Sequence, residues 1–166
     1  MELLIIRHAV AVERGTPGIE ETERPLTEKE RKRFEQAAAG LARLDDPPNA
    51  LWTSPLLRAR QTAEIVGAAW QKRHGRSAPR LHVEPSLAGG DPEDLLRALA
   101  GRKERRIALV GHEPHLSGFL ARLLGATDAA AVTFRKGGAA LVDVPGEGKP
   151  RLLWFLPPRV FRRMGR

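Results

Sequence analysis

The sequence has 166 residues, of which 42% are hydrophobic, and it carries a formal net charge of +8. This length suits one domain with a buried core that needs no crosslinks. Cysteine is absent, which excludes disulfides, thiolate metal sites and cysteine nucleophiles. The positive charge favours an anionic ligand, but only 5% of the residues are aromatic and tyrosine is absent, which disfavours a nucleic-acid interface.

The apolar runs are short. The longest, such as Ile107–Val110 and Leu152–Leu156, fall far below the ~20 residues that a membrane-spanning helix needs. Residues Met1–His8 have no basic leader and only a brief apolar run before a charge, unlike a secretory signal. We therefore expect a cytoplasmic protein with no membrane partner.

Six apolar runs have the length and composition of β-strands. They are Leu3–Ile6, Ala50–Trp52, Leu81–Val83, Ile107–Val110, Ala140–Val144 and Leu152–Leu156. Segments of helical character separate them, and this alternation predicts a layered α/β domain. The first and fourth runs lack polar alternation, so we expect them to be central parallel strands that are covered on both faces.

The first two helices are predicted from their starting residues. Thr27 and Glu30 have the spacing of a capping box, and the helix that they open is expected to reach about Leu44. Ser54 is interpreted as the cap of a second helix, with Pro55 at its first position.

Two more helices are predicted in the second half of the chain. One follows Asp91, and the other follows Pro114 and ends at Gly125. Residues 1–158 are expected to form a single domain. The arginine-rich segment 159–166 is expected to be a loosely ordered basic tail.

Two histidines follow the strands that we expect at the centre of the sheet. Arg7 and His8 come directly after Leu3–Ile6, and His112 follows Ile107–Val110 and one glycine. Ligands of open parallel sheets bind at the carboxyl ends of the strands. The helix after His112 also presents its N-terminal amides to an anion. The two histidines are therefore expected at one edge of the sheet.

Arg58, one turn into the second predicted helix, completes a set with phosphoryl-transfer chemistry. A neutral imidazole is a nucleophile, whereas guanidinium groups and a protonated second histidine match the phosphoryl oxygens. Such a pocket needs no magnesium and no other cofactor. The proposed catalytic set is Arg7, His8, Arg58 and His112.

Three blocks of the sequence resemble the signatures of the histidine phosphatase superfamily. They are Arg7-His8, the run 54–63 that starts Ser54-Pro55, and Gly111-His112. The short chain, its Arg24-Pro25-Leu26-Thr27 motif and the loop 110–114 are most similar to the small bacterial phosphohistidine phosphatases of the SixA type.

The resemblance implies a phosphoglycerate mutase-like fold, which is a three-layer α/β/α sandwich with a mostly parallel central sheet. It implies that His8 is transiently phosphorylated, that Arg7 and Arg58 bind the phosphoryl oxygens and that His112 stabilises the transferred group. Further candidates for substrate contact are the backbone N–H of Glu113, Arg24 and His115.

The chain departs from the family pattern at two places. Ala9 stands where a glycine usually follows the Arg-His pair, which is tolerable if its backbone is not left-handed. Larger relatives carry a glutamate as general acid after the third strand, and this chain has none at the matching position. Glu84 and Asp91 are the nearby candidates, although Asp91 is better explained as a helix cap and Glu84 as a solvated side chain.

These observations lead us to expect a metal-independent phosphatase that forms a phosphohistidine on His8. Protein phosphohistidine is the preferred substrate, because a phosphoramidate leaving group depends little on a general acid. The expected partner is a histidine-phosphorylated signalling protein. Two alternatives stay open: another small phosphatase, acting on a phosphoanhydride or a sugar phosphate, and a non-catalytic module that binds phosphoproteins or polyanions in the same pocket.

Overall fold

The computed structural model describes residues 1–75 and 77–166. In these residues six strands form one sheet: β1 Glu2–Arg7, β2 Ala50–Thr53, β3 Leu81–Val83, β4 Arg106–Gly111, β5 Ala139–Asp143 and β6 Arg151–Leu156. Their order across the sheet is β3-β2-β4-β1-β5-β6. The first four are mutually parallel, and β5 and β6 extend the sheet with antiparallel pairings. All six predicted strands are confirmed.

Five α-helices are present in the same described residues: α1 Glu28–Leu44, α2 Leu57–His74, α3 Pro92–Leu99, α4 His115–Leu124 and α5 Pro158–Met164. Short 3-10 turns cover Glu21–Glu23, Pro85–Ala88 and Ala129–Ala131. Within residues 1–75 and 77–166, each helix is either too short or too polar to cross a bilayer.

The sheet separates two hydrophobic cores, because successive side chains of a strand point to opposite faces. In β1, Leu4 and Ile6 pack with α1, α2 and α5, whereas Leu3 and Ile5 pack with α3 and α4. All four side chains are almost fully buried. The fold is therefore the expected three-layer α/β/α sandwich with a mostly parallel central sheet.

Local capping signals position most of the helices as predicted. The Thr27 side chain accepts a hydrogen bond from the Glu30 N–H at 3.3 Å, and Gly125 ends α4 in a left-handed conformation. Asp91 caps α3 by accepting from the Glu93 N–H at 2.9 Å. The second hydrogen bond of a capping box, from the Thr27 N–H to the Glu30 carboxylate, is replaced, because that carboxylate pairs with Arg33.

The predicted cap of the second helix is wrong. Ser54 directly follows β2, and its N–H still donates to the Val110 carbonyl of β4 at 3.0 Å, while its hydroxyl accepts from the Leu56 N–H at 3.3 Å. The helix α2 begins three residues later at Leu57, after an extended Leu56 that gives no side-chain cap.

The expected loose tail is also wrong. Residues Pro158–Met164 form α5, whose Phe161 is 1% exposed against α1. The helices approach closely because Gly40 and Gly165 carry no side chain, and the Gly40 position lies directly against the Phe161 carbonyl. Basic residues dominate this segment, but its buried Phe161 packs against Trp154, and Arg43 of α1 donates to the carbonyls of Met164 and Arg166.

Candidate functional site

The carboxyl ends of three adjacent strands, β2, β4 and β1, meet at one edge of the sheet. The His8 N–H donates to the Gly111 carbonyl at 3.0 Å, and the Ser54 N–H donates to the Val110 carbonyl at the same distance. His8 and His112 therefore lie side by side, with ring centroids 4.8 Å apart and ring planes at 51°. The parallel pairing of β1 with β4 produces this juxtaposition.

A cleft of about 420 Å³ opens at this edge. The structure brings the predicted set together, since Arg7, His8, Arg58 and His112 all line it. Arg24 and Glu113, two of the further candidates, line it too. The other lining residues are Val10, Ala11, Val12, Glu13, Arg14 and Lys136.

His8 is held in one tautomer. Its Nδ1 lies 2.6 Å from the Ala9 carbonyl oxygen, and a carbonyl only accepts, so Nδ1 carries the hydrogen. Burial, followed by the charges of His112, Arg58 and Arg7, lowers the pKa of His8 to about 3, against a smaller opposing effect of the hydrogen bond to the Ala9 carbonyl. The ring is thus neutral near pH 7, and Nε2 keeps an unshared electron pair.

His112 is also neutral in the free site. Its Nε2 lies 2.8 Å from the Ser54 hydroxyl oxygen. Burial, followed by the charges of Arg58 and Arg7, lowers the pKa of His112 to about 4. The protonated ring predicted from the sequence belongs to the site with a bound phosphoryl group, whereas the ring of the free site is neutral. A bound phosphoryl dianion would raise this pKa, because an adjacent negative charge favours the imidazolium.

Arg7 and Arg58 are held by hydrogen bonds to the protein, but these bonds do not use all of their N–H donors. Arg7 donates through Nη1 to the Phe134 carbonyl at 2.6 Å. Arg58, whose side chain is 6% exposed, donates through Nη1 to the Glu21 carbonyl at 2.8 Å and through Nη2 to the Glu21 carboxylate at 3.1 Å. The Nε atoms of both arginines are buried and have no hydrogen-bond partner among the described residues. The Nη groups keep hydrogens that the bonds above do not use, and because both residues line the cleft, an anion there would supply acceptors for them.

Glu21 is a site residue that sequence reasoning missed. Its Oε1 accepts from Arg24 Nη2 at 2.8 Å as well as from Arg58, and Arg14 approaches its Oε2 at 3.3 Å. Hydrogen bonds from Arg24 and Arg14 hold the pKa of the Glu21 carboxyl well below its usual range. Arg14 and Arg24 lie in the same loop as Glu21, but the contact that brings Glu21 to the site is with Arg58, 37 residues away, and no local pattern predicts it.

Ala9 fits its position. No residue other than glycine has a positive φ within the described part of the chain, so Ala9 is not left-handed. Its methyl group is buried in the core, and its N–H donates to the Thr62 hydroxyl at 3.0 Å. The alanine therefore leaves the backbone beside His8 unstrained.

Three sequence candidates are not part of the cleft lining. Glu84 accepts from the N–H and the hydroxyl of Ser86 at 3.0 and 2.8 Å, which caps a 3-10 turn. Asp91 caps α3, as described above. His115 is 7% exposed, and its Nδ1 lies 3.2 Å from the Gly90 carbonyl. Local capping thus engages both carboxylates that were considered as general acids.

The Glu113 carboxylate forms hydrogen bonds that stabilise the fold. Its Oε1 accepts from the Ser117 hydroxyl and from the Phe134 N–H, each at 2.7 Å. These bonds fasten the loop before β5 to the start of α4. The same loop supplies the Phe134 carbonyl that holds Arg7.

A glycine pair that looks like an ordinary turn supports the other side of the site. The Gly137 N–H donates to the carbonyls of Arg7 and His8 at 3.0 and 3.1 Å, and the Gly138 carbonyl accepts from the Arg7 N–H at 3.0 Å. Gly137 has φ near +75°, a conformation that favours glycine. The adjacent Lys136 consequently reaches the cleft.

Comparison with known proteins agrees with this geometry. The model of the histidine phosphatase superfamily, branch 1, matches residues 3–82. An uncharacterized protein of Picosynechococcus sp. is 33% identical over 95% of this chain and 100% of its own length. The solved structure of SixA from Agrobacterium tumefaciens is 26% identical with a TM-score of 0.77, and covers 95% of this chain and 97% of that chain. The chain belongs to the histidine phosphatase superfamily.

Within the superfamily the chain is SixA-like. A second solved structure, the protein histidine phosphatase SixA complexed with tungstate, has a TM-score of 0.79 and 24% identity, and covers 96% of this chain and 98% of that chain. That likeness shows a shared phosphoglycerate mutase-like fold. Membership of the superfamily supports a phosphatase activity, and the substrate has to be argued from the site.

Proposed function

We propose that this protein hydrolyses phosphohistidine in protein substrates by phosphoryl transfer to Nε2 of His8. The observation that carries the proposal is the tautomer of His8. With the hydrogen on Nδ1 and the pKa far below neutrality, Nε2 is a nucleophile without any proton transfer. Tungstate resembles phosphate in charge and shape, and its complex with a SixA protein supports an oxyanion as the ligand of this fold.

The first step exchanges one phosphorus–nitrogen bond for another. Nε2 of His8 attacks phosphorus, and the bond from phosphorus to the substrate imidazole breaks. The substrate ring reacts in its protonated form, with a hydrogen on the nitrogen that is not bonded to phosphorus. The electron pair of the broken bond then leaves with the imidazole, so a neutral ring departs, and the positive charge passes to the phosphorylated His8 ring, which keeps its Nδ1 hydrogen. Water then attacks the phosphoryl group on His8, the bond to Nε2 breaks, phosphate leaves, and one proton of the water passes to solvent.

Arg7 and Arg58 stabilise the phosphoryl oxygens in both steps. Both guanidinium groups line the cleft and keep Nη–H donors that are free to form charge-assisted hydrogen bonds with these oxygens. His112 acts on the same group, because the incoming dianion raises its pKa and favours a ring that donates hydrogen bonds. The two guanidinium groups and the imidazolium thus place positive charge beside the phosphoryl oxygens, where negative charge develops during transfer.

The carboxylates around the cleft favour a phosphoramidate over a phosphate ester. An alkoxide leaving group needs a positioned acid that remains protonated, which requires burial. Glu113 is already bound to Ser117 and Phe134, and Glu13 is exposed at the rim. Glu84 and Asp91 act as caps elsewhere. A substrate whose leaving group needs little protonation suits this set.

A substrate panel tests the proposal. Purified protein is offered a histidine-phosphorylated signalling protein, short polyphosphates, para-nitrophenyl phosphate and sugar phosphates, with His8→Asn as the control. We expect the highest kcat/KM on phosphohistidine and no turnover by the control. A strong preference for sugar phosphates would overturn the substrate, and tight binding without turnover of any compound would favour the binding module instead.

A further inference from the structure

The segment between β1 and α1 is closed at its base and carries Glu21 on its inner side. The Val12 N–H donates to the Pro25 carbonyl at 2.9 Å, and Ala11 and Leu26 form an isolated antiparallel bridge. Arg24 reinforces the base by donating to the Val12 carbonyl at 2.7 Å. This closure fixes the loop relative to the cleft.

From this closed loop, Glu21 reaches Arg58 by two independent contacts. Its backbone carbonyl receives Nη1, and its carboxylate receives Nη2. A guanidinium has five N–H donors, and these two bonds leave one hydrogen on Nη1 and one on Nη2 for a ligand, whereas Nε is buried away from solvent. The Glu21 contacts therefore fix the plane of the guanidinium and still leave some of its N–H donors for a ligand.

We propose that Glu21 is a positioning residue that orients Arg58 for the phosphoryl group. The inference rests on the function proposed above, and it adds a residue outside the predicted set. Without the carboxylate, Arg14, Arg24 and Arg58 would face one another unneutralised, and their repulsion would separate them. Arg58 would then keep only its bond to the Glu21 carbonyl and would lose the second contact that fixes the plane of its guanidinium.

The competing possibility is that Glu21 occupies the site as an internal anion and opposes the ligand. The two possibilities predict opposite changes in anion affinity when the carboxylate is removed. By Coulomb's law alone, removal of a negative charge beside an anion site tightens anion binding. Loss of an oriented guanidinium weakens it. The geometry favours positioning, because Glu21 holds Nη1 and Nη2 of Arg58 at the same time and is not among the residues that line the cleft where the anion would bind.

The test measures the binding of inorganic phosphate by calorimetry, at one pH and one ionic strength, for the wild type, Glu21→Gln, Glu21→Ala and Glu23→Ala. Glu23 lies in the same 3-10 turn, is exposed and forms no ion pair within the described residues, so its variant is a matched control for charge. We expect Glu21→Ala to weaken binding about tenfold, the loss of one charge-assisted hydrogen bond. Glu21→Gln keeps an oxygen acceptor and should fall in between.

Nitrogen-15 NMR of the Arg58 side chain in the free protein gives a second readout that needs no turnover. Rotation of the guanidinium should become faster in Glu21→Ala and stay slow in Glu23→Ala. Unchanged rotation, or phosphate binding as tight as or tighter than in the wild type, would overturn the inference. A wild type that binds phosphate but leaves phosphohistidine intact would refute the proposed function alone, and a wild type that binds no phosphate would refute both.

Discussion

At His8, one short hydrogen bond determines which nitrogen reacts. The Ala9 carbonyl holds the hydrogen on Nδ1, while the Ala9 N–H donates to the Thr62 hydroxyl. That hydroxyl in turn donates to the Arg58 carbonyl at 2.6 Å. His8 and Arg58, which we propose as the nucleophile and a phosphoryl-binding residue, are thus joined through a buried threonine, an arrangement that preorganises the site before any ligand arrives.

Glu84 and Asp91, which do not line the cleft, should not act as general acids. We expect Glu84→Gln and Asp91→Asn to keep kcat on phosphohistidine close to the wild-type value. Asparagine caps helices as well as aspartate does, and glutamine retains an oxygen that accepts from Ser86, so both variants should fold. Steady-state kinetics decide the matter. Loss of about 100-fold or more in either variant would identify a general acid and contradict the account.

At the scale of elements, α5 shows how a distant contact overrides local composition. The segment is rich in arginine, and little in it other than Phe161 indicates a buried face. Docking depends on Gly40 in α1, which is far away in the sequence. In contrast, the strands and the caps at Thr27, Asp91 and Gly125 were predictable, because each is encoded by neighbouring residues.

The contact between α1 and α5 gives an element-scale prediction. A Cβ at Gly40 would lie 1.9 Å from the Phe161 carbonyl oxygen, so Gly40→Ala has to push the helices apart. We expect a loss of about 1–3 kcal/mol in the free energy of unfolding, measured by urea denaturation.

Gly67→Ala is the matched control for that experiment. Gly67 is a buried glycine of α2, and the nearest atom to its added Cβ would be 3.5 Å away, an ordinary contact. Helix propensity alone should make this variant more stable by about 0.5–1 kcal/mol. Equal effects of the two substitutions would contradict the packing explanation.

At the scale of the whole molecule, the sheet order places β2, β4 and β1 side by side and so assembles the cleft. The sequence identified Arg7, His8, Arg58 and His112, because each follows or begins a recognisable element. It did not identify Glu21 or the Phe134 carbonyl, which contact the site only through the tertiary fold. The Ser54 hydroxyl illustrates the same limit, since it contacts His112 and does not cap α2.

Two buried neutral histidines make stability depend on pH. The pKa is lowered to about 3 for His8 and about 4 for His112, against about 6.5 in an unfolded chain. Below pH 6.5 the unfolded state binds more protons than the folded state. The stabilising contribution is therefore complete above about pH 6.5 and declines as the pH falls toward 4 and then 3.

Chemical denaturation between pH 7 and pH 4 measures this effect against a His8→Asn/His112→Asn double variant. We expect the unfolding free energy of the wild type to fall more steeply, by up to about 1.4 kcal/mol per pH unit for each histidine. Carboxylates titrate in both proteins and cancel in the comparison. Parallel curves would show that the two rings are not buried in their neutral form.

The most direct test of the central claim is to trap the phosphoryl group. The protein is mixed with a histidine-phosphorylated substrate, quenched within milliseconds at alkaline pH and mapped by mass spectrometry, alongside His8→Asn and the control His82→Asn, whose ring is largely exposed. We expect phosphate on His8 in the wild type and in His82→Asn, and neither phosphate nor turnover in His8→Asn. Phosphate on a different residue, or undiminished turnover by His8→Asn, would contradict the account.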